Sequence, residues 1–254
     1  MIGRFGPRLR SLVLASFLGL AAACVSTASA EQPVDLELVL AIDTSSSINE
    51  EEFRLQLDGL AAAFRNPAVA KAVTVAGNRG VAVVLVQWAE VFDQEVVVPW
   101  TLIRDGADAQ SFADRISAAP RLIKGGATAI SSALEFGVDL IESNGFDGLR
   151  KVIDLSGDGR ANHGPIPTLG RDRAVARGIT VNGLAILNEI PLLDRYFRNN
   201  VIGGGGAFVM VAKDWRAFEK SILEKLVREI SLSPLAELPA QDGRLVERRE
   251  SEER

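Results

Sequence analysis

The chain is poor in the residues that form disulfides, bind transition metals or act as strong nucleophiles. Its 254 residues contain one cysteine, Cys24, and one histidine, His163. A single cysteine excludes a disulfide within the chain, and so few thiols and imidazoles argue against a zinc or copper centre. The formal net charge of −5 makes nucleic acid and anionic membrane surfaces poor partners, because both repel an acidic protein.

The first 30 residues have the organisation of a secretory signal peptide. A basic segment with three arginines precedes an apolar segment over 12–23, and Ala28-Ser29-Ala30 provides a small-residue cleavage site. The apolar segment is too short for a stable transmembrane anchor. We therefore expect cleavage after residue 30 and export to the periplasm or the cell exterior. The alternatives are a retained anchor and a lipoprotein, since Leu20–Cys24 loosely resembles a site for lipidation of Cys24.

From residue 31 the hydrophobic pattern alternates between strands and helices. Strands are predicted at 34–42, 81–88, 95–100, 151–155, 179–187 and 207–212. Helices are predicted at 50–65, 107–118, 130–141, 167–177, 192–199 and 215–230. Short connections between alternating elements predict an α/β fold with one doubly wound, mostly parallel sheet of about six strands and helices on both faces. Pro99 places the third strand at an edge of the sheet, where it runs antiparallel.

The pattern divides the chain into three segments. Residues 31–232 form one predicted domain, because no linker rich in Pro, Gly or Ser interrupts them. Residues 233–254 lose apolar periodicity and are rich in Arg and Glu, which predicts a solvated, disordered tail. A helical extension or a partner-binding peptide is the alternative for this tail.

Three acidic residues lie inside predicted strands and are given structural interpretations. Asp35 and Glu37 alternate with apolar residues, so we interpret them as facing the rim of the sheet. Asp154 lies in the strand 151–155 and is expected to be paired or to face an edge.

Oxygen-bearing side chains collect in three loops that follow the predicted alternation. Asp43, Ser45 and Ser47 follow the first strand, Thr128 precedes a helix after two glycines, and Asp158 follows another strand. Ligands of open α/β sheets bind at the carboxyl ends of the strands. Two carboxylates and three hydroxyls suit a small hard divalent cation, Mg²⁺ before Mn²⁺ or Ca²⁺.

These motifs resemble the metal-ion-dependent adhesion site of von Willebrand factor A-type (VWA) domains. Asp43-Thr44-Ser45-Ser46-Ser47 matches the family's Asp-x-Ser-x-Ser motif at the end of the first strand, and Thr128 matches its loop threonine. Ser156-Gly157-Asp158-Gly159 is one glycine longer than the family's Thr/Ser-Asp-Gly motif, and Asp158 is the best match for its acid. The element order over 34–230 agrees with the resemblance, which extends to exported bacterial VWA-like proteins.

The resemblance implies both a ligand set and a function. Ser45 and Ser47 would bind the cation directly, Thr128 directly or through water, and Asp43 and Asp158 directly or through bound water. Because the directly bound ligands are neutral, the cation would keep positive charge and one open coordination position. A carboxylate of a partner protein would fill that position. The expected function is that of an exported, metal-dependent protein-binding module, not an enzyme.

Alternative functions remain open from the residues alone. In a hydrolase, Ser45 or Ser47 would be the nucleophile, His163 the base and Asp43 or Asp158 the orienting acid. No Gly-x-Ser-x-Gly motif surrounds the serines, and one metal site with few carboxylates does not suit a two-metal phosphohydrolase. A metal-free scaffold domain of the same fold is the third possibility. Glycines 125 and 126 lack the P-loop pattern, and the serine run read alone is a helix-capping loop.

Overall fold

The computed structural model describes residues 30–231. The predicted signal peptide, including Cys24, and the predicted tail 233–254 lie outside the described residues. The strands are β1 (Gln32–Val34), β2 (Leu36–Asp43), β3 (Val81–Trp88), β4 (Gln94–Ile103), β5 (Phe146–Gly148), β6 (Lys151–Gly157), β7 (Ile179–Ile186) and β8 (Val209–Ala212). The helices are α1 (Glu50–Arg65), α2 (Pro67–Ala76), α3 (Gly106–Ser117), α4 (Ile130–Glu142), α5 (Pro167–Ala176), α6 (Leu193–Asn200) and α7 (Phe218–Ser231), the last preceded by a 3-10 turn over Trp215–Ala217.

The predicted α/β fold class is confirmed. Within residues 30–231, six strands form the central sheet in the order β4-β3-β2-β6-β7-β8, and β1 pairs separately with β5. All pairs in the central sheet are parallel except β3 with the edge strand β4. The chain order reverses beside β2, which pairs with β3 on one side and β6 on the other. Strands β2 and β6 therefore end side by side at the edge where ligands of such sheets bind.

Two apolar clusters cover the two faces of the sheet. Alternate residues of β2 divide between them: Leu38 and Leu40 pack on the side of α1, α2, α3 and α7, and Val39 packs on the side of α4, α5 and α6. Because both faces are covered, the eight residues of β2 and the eight of β3 are buried. This double burial explains why both strands are mostly apolar, with Glu37, Asp43 and Gln87 as the buried polar exceptions.

Local sequence signals place the helix boundaries. The α1 boundaries match the predicted helix, and Asn49 and Glu52 form its capping box. The sequence pattern does not predict α2, because Asn66-Pro67 indicates the end of α1. The same dipeptide also starts α2: the Asn66 side chain caps it, and Pro67 occupies its first turn, where a missing N–H costs nothing.

The interpretation of Asp35 and Glu37 as rim residues is wrong. Both are buried, and each binds backbone N–H groups of neighbouring segments. Asp35 Oδ2 accepts hydrogen bonds from Arg79 N and Gly80 N at 2.8 and 3.0 Å, and Glu37 Oε1 accepts one from Gly148 N at 2.7 Å. Alternation with apolar residues predicts exposure only when one face of a strand is solvated, and β2, which contains Glu37, has no solvated face. Asp35 precedes β2 and is buried against the segment that leads into β3.

Asp154 is paired, as expected, but it lies at the centre of the sheet and not at an edge. Lys225 on α7 reaches Asp154 Oδ1 at 2.6 Å and also contacts Glu229 one turn further along the helix. Asn182 on β7 donates a hydrogen bond of 2.8 Å to Glu229 Oε1. The side chains of Lys225 and Glu229 have no exposed surface. This buried cluster fastens α7 to β6 and β7.

Replacing Lys225 by methionine keeps the apolar stem but removes the cation that both carboxylates contact. We expect the free energy of unfolding to fall by about 3–5 kcal/mol, because a buried ion cluster that loses one partner leaves an uncompensated charge. Urea unfolding measures the change. Lys220→Met on the same helix, where the side chain is 83% exposed, should change stability by less than about 0.5 kcal/mol. Equal losses in the two variants would contradict a role for the buried contacts.

Stability should also depend on the titration of Glu229. Burial raises the pKa of this carboxyl from 4.5 to about 8, and the negative charge of Asp154 acts in the same direction. The folded protein therefore keeps a proton that the unfolded chain releases, so the stability contributed by the protonated group falls as the pH rises from about 5 to 8. In Glu229→Gln this part of the pH dependence should disappear, as measured by urea unfolding at both ends of the range. Identical pH slopes in the two proteins would refute the assignment.

Candidate functional site

The loop between β2 and α1 carries three of the predicted site residues. Asp43 is the last residue of β2, and its carboxylate is fully buried. Asp43 Oδ1 accepts a hydrogen bond of 2.8 Å from Ser45 N, which turns the chain back over the strand end. The hydroxyls of Ser45 and Ser47 are 3.3 Å apart. The short turn thus places one carboxylate and two hydroxyls together.

Asp158 joins this group from the end of β6. Ser47 Oγ donates a hydrogen bond of 2.7 Å to Asp158 Oδ1, across 111 residues of sequence. The additional glycine in the motif, Gly157, belongs to β6 and pairs with β7, so it lengthens the strand and Asp158 follows directly. A Cβ atom at position 157 would lie 3.0 Å from Asp43 Oδ2. Glycine here lets the two strand ends approach closely.

Thr128 is held beside these residues by the loop that precedes α4. Its N–H donates to Asn162 Oδ1 at 2.8 Å, and Asn162 N–H donates to Thr128 O at 3.1 Å. Gly126 exchanges two hydrogen bonds of 2.9 Å with Ser46, one through the serine hydroxyl and one through its N–H. Gly126 has φ of +115°, and a Cβ atom there would lie 2.8 Å from Glu90 Cγ. The loop therefore ties the segments around Ser46 and Asn162 together.

Two carboxylate oxygens in the group have no hydrogen-bond partner among the described residues, Asp43 Oδ2 and Asp158 Oδ2, and both are buried. Burial raises the pKa of Asp43 to about 7, and the nearby charge of Asp158 adds to this rise. Burial also raises the pKa of Asp158, and the charge of Glu189 contributes. An unpartnered buried carboxylate is costly, so the arrangement favours a positive charge between the two acids.

The donor atoms define which cation fits. Residues 30–231 contain no cluster of three or more His, Cys, Asp or Glu side chains of the kind that holds a metal alone. The candidate site instead combines two carboxylates with the hydroxyls of Ser45, Ser47 and Thr128. An all-oxygen set rich in neutral groups fits a small hard divalent ion that keeps bound water.

A depression of about 350 Å³ opens over this group. Its walls include Ser47, Thr128 and Asp158, together with Arg160 and Glu189. Asp43 and Ser45 lie buried beneath it, with relative exposures of 0% and 1%. The volume is at the lower end of the range for ligand-binding clefts, about 300–1,000 Å³. The candidate site is therefore open to a group of a partner molecule.

Three residues that support the site were not identified from the sequence. The guanidinium of Arg121 donates to Ile48 O at 2.7 Å and Thr44 O at 3.3 Å, so it holds both ends of the serine loop. Gln56 donates a hydrogen bond of 2.9 Å to Asp43 O. Gln87 donates to Pro120 O at 2.7 Å and fixes the segment that carries Arg121. A glutamine inside the apolar strand 81–88 was a usable signal for a buried polar contact, whereas nothing in the sequence distinguishes Arg121.

His163 is exposed and forms no hydrogen bond with the serines in the part of the chain that the structure describes. Ser47 Oγ donates to Asp158 and approaches Ser45. The geometry therefore lacks the contact between nucleophile and base that a serine hydrolase requires.

The fold is that of the VWA-type α/β class, as the sequence motifs imply. A family model described as "Protein of unknown function (DUF1194)" matches residues 33–234. The chain belongs to this VWA-like family. A comparison with curated proteins found no match.

Solved structures with the same fold include proximal thread matrix protein 1 from the mussel byssus, at 18% identity and a TM-score of 0.56, covering 79% of this chain and 48% of that one. The A-type domain protein from Catenulispora acidiphila has 17% identity and a TM-score of 0.54, with 77% and 43% coverage. The pilus adhesin SpaC from Lactobacillus rhamnosus GG has 15% identity and a TM-score of 0.54, with 77% and 30% coverage. The chain thus spans less than half the length of these three proteins.

Arg121 provides a test of how the serine loop is held. Arg121→Ala removes the hydrogen bonds to Thr44 O and Ile48 O, so amide hydrogen exchange should accelerate at Ser46 and Ile48. The matched control is Arg104→Ala, because the Arg104 side chain is 64% exposed and forms an ion pair with Asp108, away from the loop. NMR-detected exchange measures both. Unchanged exchange at the loop amides in Arg121→Ala would show that the loop is held by its other contacts.

Proposed function

We propose that this protein is a metal-dependent protein-interaction module. Asp43, Ser45, Ser47, Thr128 and Asp158 hold one divalent cation, with Mg²⁺ preferred over Mn²⁺ or Ca²⁺. The bound cation supplies a positive charge at the floor of the depression. A carboxylate of a partner protein then completes its coordination. We further propose that the protein acts outside the cytoplasm, on the basis of the signal-peptide pattern in residues 1–30.

The observation that carries this proposal is the pair of buried, unpartnered oxygens, Asp43 Oδ2 and Asp158 Oδ2. Two acids at the ends of neighbouring strands lie together where the described part of the chain supplies no ammonium or guanidinium within 4.0 Å of either. A cation between them would offset the desolvation that raises both pKa values and the repulsion that Asp158 exerts on Asp43. Ser45, Ser47 and Thr128 would add neutral oxygen ligands.

Descriptions of two structurally similar proteins also motivate the proposal of a metal-dependent interaction module. One structure of the mussel protein is described as having a "zinc occupied MIDAS motif", at 19% identity and a TM-score of 0.52, covering 79% of this chain and 49% of that one. SpaC is described as a pilus adhesin. The zinc ion and the adhesin function are described for those two proteins. The zinc ion motivates including Zn²⁺ in metal titrations of this chain, although its donors favour a harder ion.

The other two candidate functions receive less support. A hydrolase needs a base next to Ser45 or Ser47, and the exposed His163 does not contact them. A metal-free scaffold would leave the two unpartnered carboxylates without a function. No helix among residues 30–231 has both the length and the apolar character needed to cross a membrane.

Isothermal titration of the purified protein tests the metal site. We expect one Mg²⁺ per chain, and we expect Asp158→Asn to weaken binding by at least about tenfold, because the change removes a charge that orients the metal ligands. Asp93→Asn is the matched control, since Asp93 is an exposed acid on the neighbouring hairpin and should not affect binding.

Two results would contradict the proposal. The first is no detectable binding of Mg²⁺, Mn²⁺, Ca²⁺ or Zn²⁺ to the folded wild-type protein. The second is equal Mg²⁺ affinity in Asp158→Asn and Asp93→Asn. A partner that stays bound after the metal is removed with a chelator would favour the metal-free scaffold instead.

A further inference from the structure

Arg160 is the basic side chain in the lining of the depression above the candidate metal site. It is exposed, and its guanidinium carbon lies 5.5 Å from the ring centre of Tyr196. Among the described residues no carboxylate lies within 4.0 Å of it. Arg160 therefore presents a positive charge to the depression that no acidic side chain of residues 30–231 neutralises.

The segment that directly follows Arg160 is fixed by hydrogen bonds to two other segments. Ala161 N–H donates a hydrogen bond of 3.2 Å to the Tyr196 hydroxyl on α6. Asn162 exchanges two hydrogen bonds with Thr128, at 2.8 and 3.1 Å. The cation–π contact with Tyr196 also restricts the guanidinium. Because the backbone next to Arg160 is anchored, less freedom is lost when the side chain binds an anion.

The other charged side chains in the lining of the depression are acidic. Asp158 and Glu189 line the same depression, and Asp43 lies beneath it. A divalent cation compensates the two aspartates, but it leaves the Glu189 carboxylate, which repels an approaching acid. Arg160 supplies the opposite charge in the same cavity. A ligand carboxylate next to Arg160 gains a charge-assisted hydrogen bond that one placed next to Glu189 does not.

We propose that Arg160 binds a second carboxylate of the ligand, so that the site selects a pair of acidic groups over a single one. This inference rests on the proposed function, because the first carboxylate occupies the cation. The partner is then a protein surface that presents two neighbouring acidic side chains. Arg160 acts as a specificity-determining residue and is not a metal ligand.

The test uses two small probes of equal carbon length, succinate with two carboxylates and butyrate with one. Each is titrated into the full-length protein in excess Mg²⁺ and followed by ¹H–¹⁵N NMR. In the wild type, succinate should bind about tenfold more tightly than butyrate, as expected for one added charge-assisted hydrogen bond. In Arg160→Ala the preference should fall to within about twofold. Glu189→Gln should strengthen binding of both probes, because it removes the repelling charge.

Mg²⁺ titration of the same variants separates the two proposals. Arg160→Ala should bind Mg²⁺ like the wild type. If Mg²⁺ binds and succinate shows no preference over butyrate, or keeps its preference in Arg160→Ala, the acidic-pair inference is overturned and the metal site stands. If the wild type binds no metal, both are overturned. Opposite effects of Arg160→Ala and Glu189→Gln on succinate affinity also exclude general unfolding as the cause.

Discussion

The main electrostatic constraint in this molecule is the convergence of two buried carboxylates at the ends of β2 and β6. The strand order makes it unavoidable, because these strands are neighbours and an aspartate stands at the end of β2 and directly after β6. Asp43 and Asp158 repel each other, and each has a buried oxygen without a partner in the described residues. The surrounding loops are built around this pair: Ser47 binds Asp158 directly, and Gly157 lets the Asp43 carboxylate lie against β6.

Strand β6 also contains a buried acid, Asp154, that is neutralised by a side chain of the same protein. Asp154 lies within β6, whereas Asp158 directly follows it. Asp154 is paired with Lys225 on α7 at 2.6 Å. Asp158 instead receives a neutral serine hydroxyl. A lysine at the strand end would have neutralised Asp158 permanently, whereas hydroxyl ligands leave its charge available to an external cation.

Most of the fold is predictable because its signals are local. The capping box at Asn49 predicts the α1 boundary, and the apolar run at 81–88 predicts β3. Sequence signals whose meaning depends on tertiary contacts lead to wrong predictions. Pro67 indicates a helix stop although it also starts α2, and the burial of Glu37 depends on helices that cover β2 from both sides. The five predicted site residues are brought together, but Arg121 could not be predicted, since its role depends on carbonyl groups more than 70 residues away.

Arg121 supports the candidate site by holding the backbone of the serine loop. Arg121 is nearly buried, and its charge lowers the pKa of Asp43, against the larger effect of burial. Two of its hydrogen bonds go to carbonyls of the serine loop. Its ion pair in the described chain is with Glu50, so it holds the loop without pairing with Asp43 or Asp158. Among the described residues, Arg160 is the one basic side chain in the lining of the depression. Three basic side chains of residues 30–231 therefore have different surroundings: Lys225 fixes the last helix, Arg121 fixes the serine loop, and Arg160 lines the open depression.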